Sequence, residues 1–428
     1  MHQQEFEIQK LGPREIESPI EAAFVVSDHA GVLLNAAIED RRRPELPSDR
    51  IVMEAAGPRE LIYFDPARVK AAMVTCGGLC PGLNDVIRAL TMVLWYRYGA
   101  RSILGLRYGY EGLVESTGHE PLHLSPERVE DIHQQGGTIL GTSRGPQQPS
   151  AMVSFLEQNG INMLFTIGGD GTQRGAEALC EEIRRRGLDI AVVGIPKTID
   201  NDISFTERTF GFETAVALSQ PPITSAHMEA KGVRNGVGLV RLMGRQSGFV
   251  AAYASLASSD VNLVLVPEIP FAPARVMAFL EERLARKSHA VIVAAEGAGQ
   301  DLVSGSGTDA SGNPKLGDIG VFLKEAITTH FAHARTPAEV KYIDPSYTIR
   351  SAPASADDSV FCFRLAENAA HAAMCGRTAM VVGLWNGHFV HVPMEKAVEK
   401  RKQIDPGGSF WHSVLDNTGQ PPDLLRGA

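Results

Sequence analysis

The chain has 428 residues, 44% hydrophobic and 21% charged, which is enough apolar material for a large core and enough length for two packed lobes; wholesale disorder and a single small module are excluded. Forty-one Lys and Arg against 50 Asp and Glu leave a net charge of −9, so no chain-wide positive field draws in nucleic acid and any phosphate chemistry must be local. No apolar run approaches the roughly 18 residues that span a bilayer, and the first thirty residues, with Glu5, Glu7, Glu15 and Glu17, lack the basic start and apolar stretch of a secretory signal, so a cytoplasmic protein with no membrane partner is expected.

Residues 1–65 are polar, carry Arg41-Arg42-Arg43 and several prolines, and predict an irregular N-terminal extension whose basic triplet is a solvated surface rather than an anion site. Five cysteines (Cys76, Cys80, Cys180, Cys362, Cys375) fit reduced thiols better than a disulfide framework. From Val69 onward, short apolar runs are each followed by glycines or polar turn residues, and often by helical spacing. Met73-Val74-Thr75 leads into Gly77-Gly78, after which Val86, Leu90, Val93 and Leu94 recur at helical intervals. Residues 163–167 lead into Gly168-Gly169-Asp170-Gly171, followed by Ala176, Leu179 and Ile183. Runs at 191–195, 261–266, 291–295 and 380–384 end at Pro196, Pro267, Glu296-Gly297 and before Asn386-Gly387. This alternation predicts an α/β fold with a mainly parallel sheet, in which ligands sit beyond the carboxyl ends of the strands. No internal repeat is apparent, and 304–312 is the one stretch that suggests a flexible loop.

Three of those strand ends carry chemistry. Thr75-Cys76-Gly77-Gly78-Leu79-Cys80-Pro81-Gly82-Leu83-Asn84 lets backbone amides approach an anion at a helix start, although a plain tight turn accounts for it equally well. It is neither a nucleoside-triphosphatase P-loop nor a dinucleotide G-x-G-x-x-G loop. Gly168-Gly169-Asp170-Gly171-Thr172 places a carboxylate inside a second such turn, where a cation between it and a polyphosphate would relieve the repulsion, so Asp170 is a magnesium candidate. Pro196-Lys197-Thr198-Ile199-Asp200-Asn201-Asp202 offers a hydroxyl and two carboxylates at two-residue steps, suited to divide proton acceptance and cation binding, with an Asx-rich turn as the alternative.

With these loops in this order, the sequence resembles the 6-phosphofructokinases, most of all the long bacterial, plant-type and trypanosomatid branch, from about Ala56-Gly57-Pro58-Arg59 to Gly419-Gln420-Pro421. The resemblance implies ATP contacts from Gly78, from Arg144 in Gly141-Thr142-Ser143-Arg144, and from Gly169, Asp170, Gly171 and Thr172, with Asp170 holding Mg2+, while Asp202 is a second metal candidate from the residues alone. Thr198-Ile199-Asp200 matches the family's substrate segment, and Asp200 its catalytic base toward the 1-hydroxyl of fructose 6-phosphate. Met243-Gly244-Arg245 matches the substrate loop, Arg245 being a guanidinium fork for phosphate oxygens. Glu296 matches the sugar-hydroxyl contact, Tyr347 to Arg350 the 6-phosphate site, and Lys341 a further basic phosphate ligand. The family's motifs put the choice of phosphoryl donor at Gly171 and Lys197: pyrophosphate users carry a second aspartate at the first position and this lysine at the second, and the long ATP-dependent branch combines glycine with lysine, so ATP is expected.

The resemblance also implies two similar Rossmann-like lobes whose chain crosses between them more than once, with the active site in the cleft: residues 66–211 and 350–395 as a nucleotide-binding lobe, 212–349 and 396–428 as a sugar-phosphate lobe, assembled as a homodimer or homotetramer. Three features depart from the pattern. Gly236 stands where short bacterial enzymes carry an arginine that reaches a neighbouring subunit's substrate, leaving Arg234 or Arg241 as substitutes. Gln246 replaces an expected aspartate, and Pro221-Pro222 interrupts an expected helix. These changes keep sedoheptulose 7-phosphate open as another acceptor. An inactive sugar-phosphate-binding homologue is disfavoured by retention of Asp170, Asp200, Arg245 and Arg350, and a dinucleotide oxidoreductase by the missing glycine spacing.

Overall fold

A computed structural model describes residues 2–21, 23, 25–37, 50–303, 305, 307–308 and 314–424; the Arg41-Arg42-Arg43 triplet and most of 304–312 lie outside the described residues. The chain divides into two compact units, the first formed by Met1–Thr198, Ile203–Gly211 and Ser351–Lys400 and the second by Ile199–Asp202, Phe212–Arg350 and Arg401–Ala428. The first unit begins with β1 (Lys70–Thr75), α1 (Leu83–Met92), β2 (Ser102–Leu106), β3 (Leu122–His123), α2 (Pro149–Gln158), β4 (Met163–Gly168), α3 (Asp170–Arg186) and β5 (Ala191–Pro196). The second holds α4 (Phe212–Leu218), α5 (Gln220–Lys231), β6 (Gly236–Leu242), α6 (Phe249–Ser258), β7 (Leu263–Leu265), α7 (Pro273–Lys287), β8 (His289–Ala295), α8 (Ile319–His333), β9 (Glu339–Ile343) and α9 (Ser346–Arg350). The chain returns to the first unit for α10 (Ala356–Met374), β10 (Met380–Trp385), β11 (His388–Pro393) and α11 (Met394–Glu399), then closes the second with α12 (Ser409–Thr418).

In the first unit a seven-stranded sheet runs β11-β10-β5-β4-β1-β2-β3, parallel except for its two edge pairings. Every residue of β4 and β5 is buried, which is why both appear in the sequence as continuous apolar runs. Leu164 and Val192 pack with Leu156 of α2 and with Leu179 and Ile183 of α3 in one core. The strand order reverses between β1 and β4, the position where doubly wound sheets leave a crevice for ligands. Residues of the N-terminal extension form three short antiparallel ladders, pairing 9–10 with 377–378, 16–17 with 61–62 and 31–33 with 52–54. Beneath them Glu54 Oε1 meets both Arg377 Nε and His391 Nδ1 at 3.0 Å, all three side chains being largely buried.

The second unit is built on a four-stranded parallel sheet, β7-β8-β6-β9. Helix α5 lies directly on β6: a Cβ built at Gly236 would stand 2.0 Å from the Ala230 carbonyl oxygen. An arginine is therefore excluded at that position by helix packing. Pro221-Pro222 interrupts the helical stretch as expected: α4 ends at Leu218 and, after Ser219 alone, α5 restarts at Gln220 with the prolines in its first turn. All five cysteines are buried and unbridged. Among the described residues no helix is long and apolar enough to cross a membrane.

Candidate functional site

In the first unit the turns after β1, β4 and β5 converge on one another. The amide of Cys76 donates to Ile167 O at 3.0 Å, and that of Gly77 to Ser143 O at 3.0 Å, while Thr142 Oγ1 donates to Gly77 O at 2.6 Å. The loop bearing Arg144 is thereby stitched to the first glycine turn, and a Cβ at Gly78 would lie 3.3 Å from Arg144 Nη2. Lys197 is buried, and its ammonium donates to Gly78 O at 2.8 Å. At the start of α3, Gly169 is the N-cap, and Asp170, Gly171 and Thr172 form the first turn, where the helix dipole favours an anion. Buried Gln173, which the sequence reading passed over, donates through Nε2 to Gly168 O at 3.0 Å and Thr166 O at 3.2 Å and fixes that turn to β4. A Cβ at Gly171 meets nothing within 4 Å, so space is open there. Asp170 pairs with Arg174 one turn along, at 3.3 Å.

In the second unit, Asp200, Arg245, Glu296 and Arg350 come together. The amide of Arg245 donates to Asp200 Oδ2 at 3.1 Å. The Asp200 carboxyl is pushed up to about 7, first by burial and then by the nearby charges of Asp202 and Glu296, with the Arg245 amide and Arg350 opposing. Glu296, just beyond β8, lies between Arg350 Nη2 at 3.7 Å and Arg241 Nη1 at 4.0 Å. The loop after β6 turns sharply at Gly244, whose φ is +129°, and a Cβ there would meet Ser247 O at 2.7 Å. Residues 401–404 brace both loops. Arg401 Nη1 reaches Asp202 Oδ2 at 3.3 Å, the Lys402 amide donates to Asp202 O at 3.0 Å, Ser247 Oγ to Lys402 O at 2.6 Å, and Gln403 Nε2 to Gln246 O at 2.9 Å.

Several residues sit differently from the sequence expectation. Asp202 is 7% exposed and faces the Arg401 guanidinium at 3.3 Å. Lys341 turns toward Glu339 at 2.6 Å and Glu229 of α5 at 3.7 Å and does not join Arg350. Met243 and Ile199 are buried apolar side chains, leaving only their backbones for a ligand. Arg241 is committed to Asp344 within its own unit, and Arg234 lies exposed in the turn before β6. Thr198 lends its carbonyl to Thr209 Oγ1 at 2.6 Å, and Tyr347 is 84% exposed at the start of α9. Among the described residues no group of three or more His, Cys, Asp or Glu could hold a metal unaided.

Comparison with known proteins identifies the family. The family model described as Phosphofructokinase matches residues 70–373. An ATP-dependent 6-phosphofructokinase of Borreliella burgdorferi is 47% identical, with 97% of each chain covered. One from Amycolatopsis methanolica is 47% identical over 99% of this chain and 96% of its own, and one from Trypanosoma brucei brucei 48% identical over 86% and 76%. Among solved structures, a pyrophosphate-dependent phosphofructokinase from Marinobacter aquaeolei aligns with a TM-score of 0.68 over 82% of this chain and 91% of that one, at 19% identity, a likeness of fold alone.

Proposed function

Because this chain belongs to the phosphofructokinase family, we propose that it transfers the γ-phosphoryl group of ATP to the 1-hydroxyl of fructose 6-phosphate, giving fructose 1,6-bisphosphate and ADP in glycolysis. The observation that carries the reading is Asp200: a partly buried carboxylate, oriented by an amide and raised to about 7, is a general base poised near neutral pH. Asp200 accepts the proton of the attacking hydroxyl. Arg245, carried on the loop whose amide holds that base, offers its fork to the phosphoryl oxygens. Glu296 takes a sugar hydroxyl, and Tyr347 and Arg350 receive the 6-phosphate.

Gly78, Arg144 and the first turn of α3 from Gly169 to Thr172 hold the donor. Asp170 fits Mg2+, which typically takes one or two protein carboxylates and completes its shell with phosphate oxygens and water. Bound there, the ion would neutralise charge on the donor phosphates. Lys197, the residue type that the family's pyrophosphate users carry at this position, supports a second reading in which pyrophosphate is the donor. The open space at Gly171 favours ATP, because a nucleotide needs that room beyond its β-phosphate and pyrophosphate does not. The same family reading extends to a cytoplasmic homodimer or homotetramer.

The acceptor is tested by comparing kcat/KM for fructose 6-phosphate and sedoheptulose 7-phosphate with Mg2+ and ATP, the product being identified by phosphorus NMR. A clear preference for fructose 6-phosphate with a new phosphate on C1 is expected. A preference for the seven-carbon sugar would overturn the assignment.

A further inference from the structure

Arg241 has no part in the chemistry above, yet it occupies the centre of the second unit's substrate-facing residues. It stands on β6 two residues before Met243, with its side chain 18% exposed. Its Nη2 binds Asp344, just beyond β9. Its Nη1 is 4.0 Å from Glu296 Oε2, just beyond β8, and its Nε is 4.0 Å from Asp318 Oδ1, the residue that caps α8. One guanidinium thus spans the carboxyl ends of three adjacent strands.

Asp344 hands the constraint onward. Its Oδ1 accepts from the Ser346 amide at 3.0 Å and the Ser346 hydroxyl at 2.5 Å, setting the first turn of α9, the helix that ends at Arg350. Arg350 Nη2 returns to Glu296 Oε1 at 3.7 Å, which closes a ring through Arg241, Asp344, Ser346, Arg350 and Glu296. Burial works against the charge on Arg241, and the Asp344 carboxylate more than compensates. Glu296 is shared between two cations. Remove Arg241, and Glu296 draws Arg350 closer, away from an incoming phosphate, while Asp344 loses the partner that aligns it under α9.

We infer that Arg241 is a positioning residue for the acceptor site: without touching substrate, it fixes Glu296 and the helix bearing Arg350, and so sets affinity for the sugar phosphate and not for the phosphoryl donor. The inference rests on reading Glu296 and Arg350 as acceptor contacts. A lysine at 241 supplies a point charge but not the fork that reaches two carboxylates at once.

Initial rates are measured on the full chain with each substrate varied, for Arg241→Met, Arg241→Lys, Asp344→Asn, Glu296→Gln and Arg350→Met. Arg241→Met should raise KM for fructose 6-phosphate at least about tenfold while KM for ATP and kcat stay within about twofold, and Arg241→Lys should recover only part of the loss. Asp344→Asn, which retains an acceptor for Ser346, should reproduce the same split and carries the test if Arg241→Met does not fold. An unchanged KM for fructose 6-phosphate in Arg241→Met or Asp344→Asn, or an equal change in both KM values, overturns the inference. If Glu296→Gln and Arg350→Met also leave that KM unmoved, the underlying assignment of the acceptor site fails; if they raise it and Arg241→Met does not, only the positioning role fails.

Discussion

The amide of Arg245 donates to Asp200 Oδ2 at 3.1 Å, so the loop that presents a guanidinium also orients the carboxylate. The two residues belong to separate segments of the chain, and residues 401–404 tie both segments together through Asp202, Gln246 and Ser247. A base and a charge-stabilising group on one brace can keep their spacing while substrates come and go.

Asp200→Asn should lower kcat by about 10²- to 10⁴-fold with little change in either KM, because only the proton acceptor is lost. In the wild type, kcat/KM should fall on the acid side with a midpoint near the carboxyl's value of about 7. The raised folded value means that the native chain holds a proton which the unfolded chain releases between about pH 4 and 7, so this residue's contribution to stability declines as pH rises through that window. Asp200→Asn should therefore melt higher than wild type at pH 8. An acid limb that persists unchanged in residual activity of the variant would assign the proton elsewhere.

Gly171→Asp should fold normally, since its Cβ meets nothing within 4 Å and a carboxylate in the first turn of α3 is favoured by the helix dipole. Use of ATP should drop far more than use of pyrophosphate. Equal losses with the two donors would remove Gly171 from the account of donor choice.

Gly244→Ala forces a side chain into a φ of +129° and against Ser247 O at 2.7 Å. A destabilisation of about 1–3 kcal/mol is expected, with a fall in kcat larger than the change in KM for ATP, because Arg245 is carried by this turn. Thermal melting together with steady-state kinetics checks both.

Glu54→Gln should destabilise the first unit by roughly 1–3 kcal/mol, since it leaves the buried Arg377 with Asp28 at 3.6 Å as its remaining carboxylate. Burial opposes ionisation of Glu54, but His391 and Arg377 prevail and hold its carboxyl down at about 2. The stabilisation is thus fully present above about pH 4.5 and is lost as pH falls toward 2. Acid unfolding monitored by circular dichroism should begin at higher pH in the variant; coincident curves would show that this cluster contributes nothing to acid stability.

Much of the first unit was legible in the sequence because its site lies where wholly buried strands end in glycine turns, and Asp170 and Lys197 stand inside those turns. The second unit was harder to read. Strand β6 carries Gly236 and Gly238, which dilute its apolar pattern, and they are glycines because the backbone of α5 rests on them. Strand β9 is only partly buried and so lacks a continuous apolar run. Arg241 stood out only as a substitute for a cross-subunit arginine and Arg401 not at all, since their partners, Asp344 and Asp202, lie 103 and 199 positions away. Met243 shows the converse: it belongs to a recognisable motif, and its side chain serves the core, leaving its backbone to face a ligand.

Initial-rate turnover of fructose 6-phosphate with Mg2+, run in parallel with ATP and with pyrophosphate, separates the two donors. Saturable formation of fructose 1,6-bisphosphate is expected with ATP and little or none with pyrophosphate. Turnover with pyrophosphate and not ATP would contradict it, placing the donor choice with Lys197 instead of the open position at Gly171.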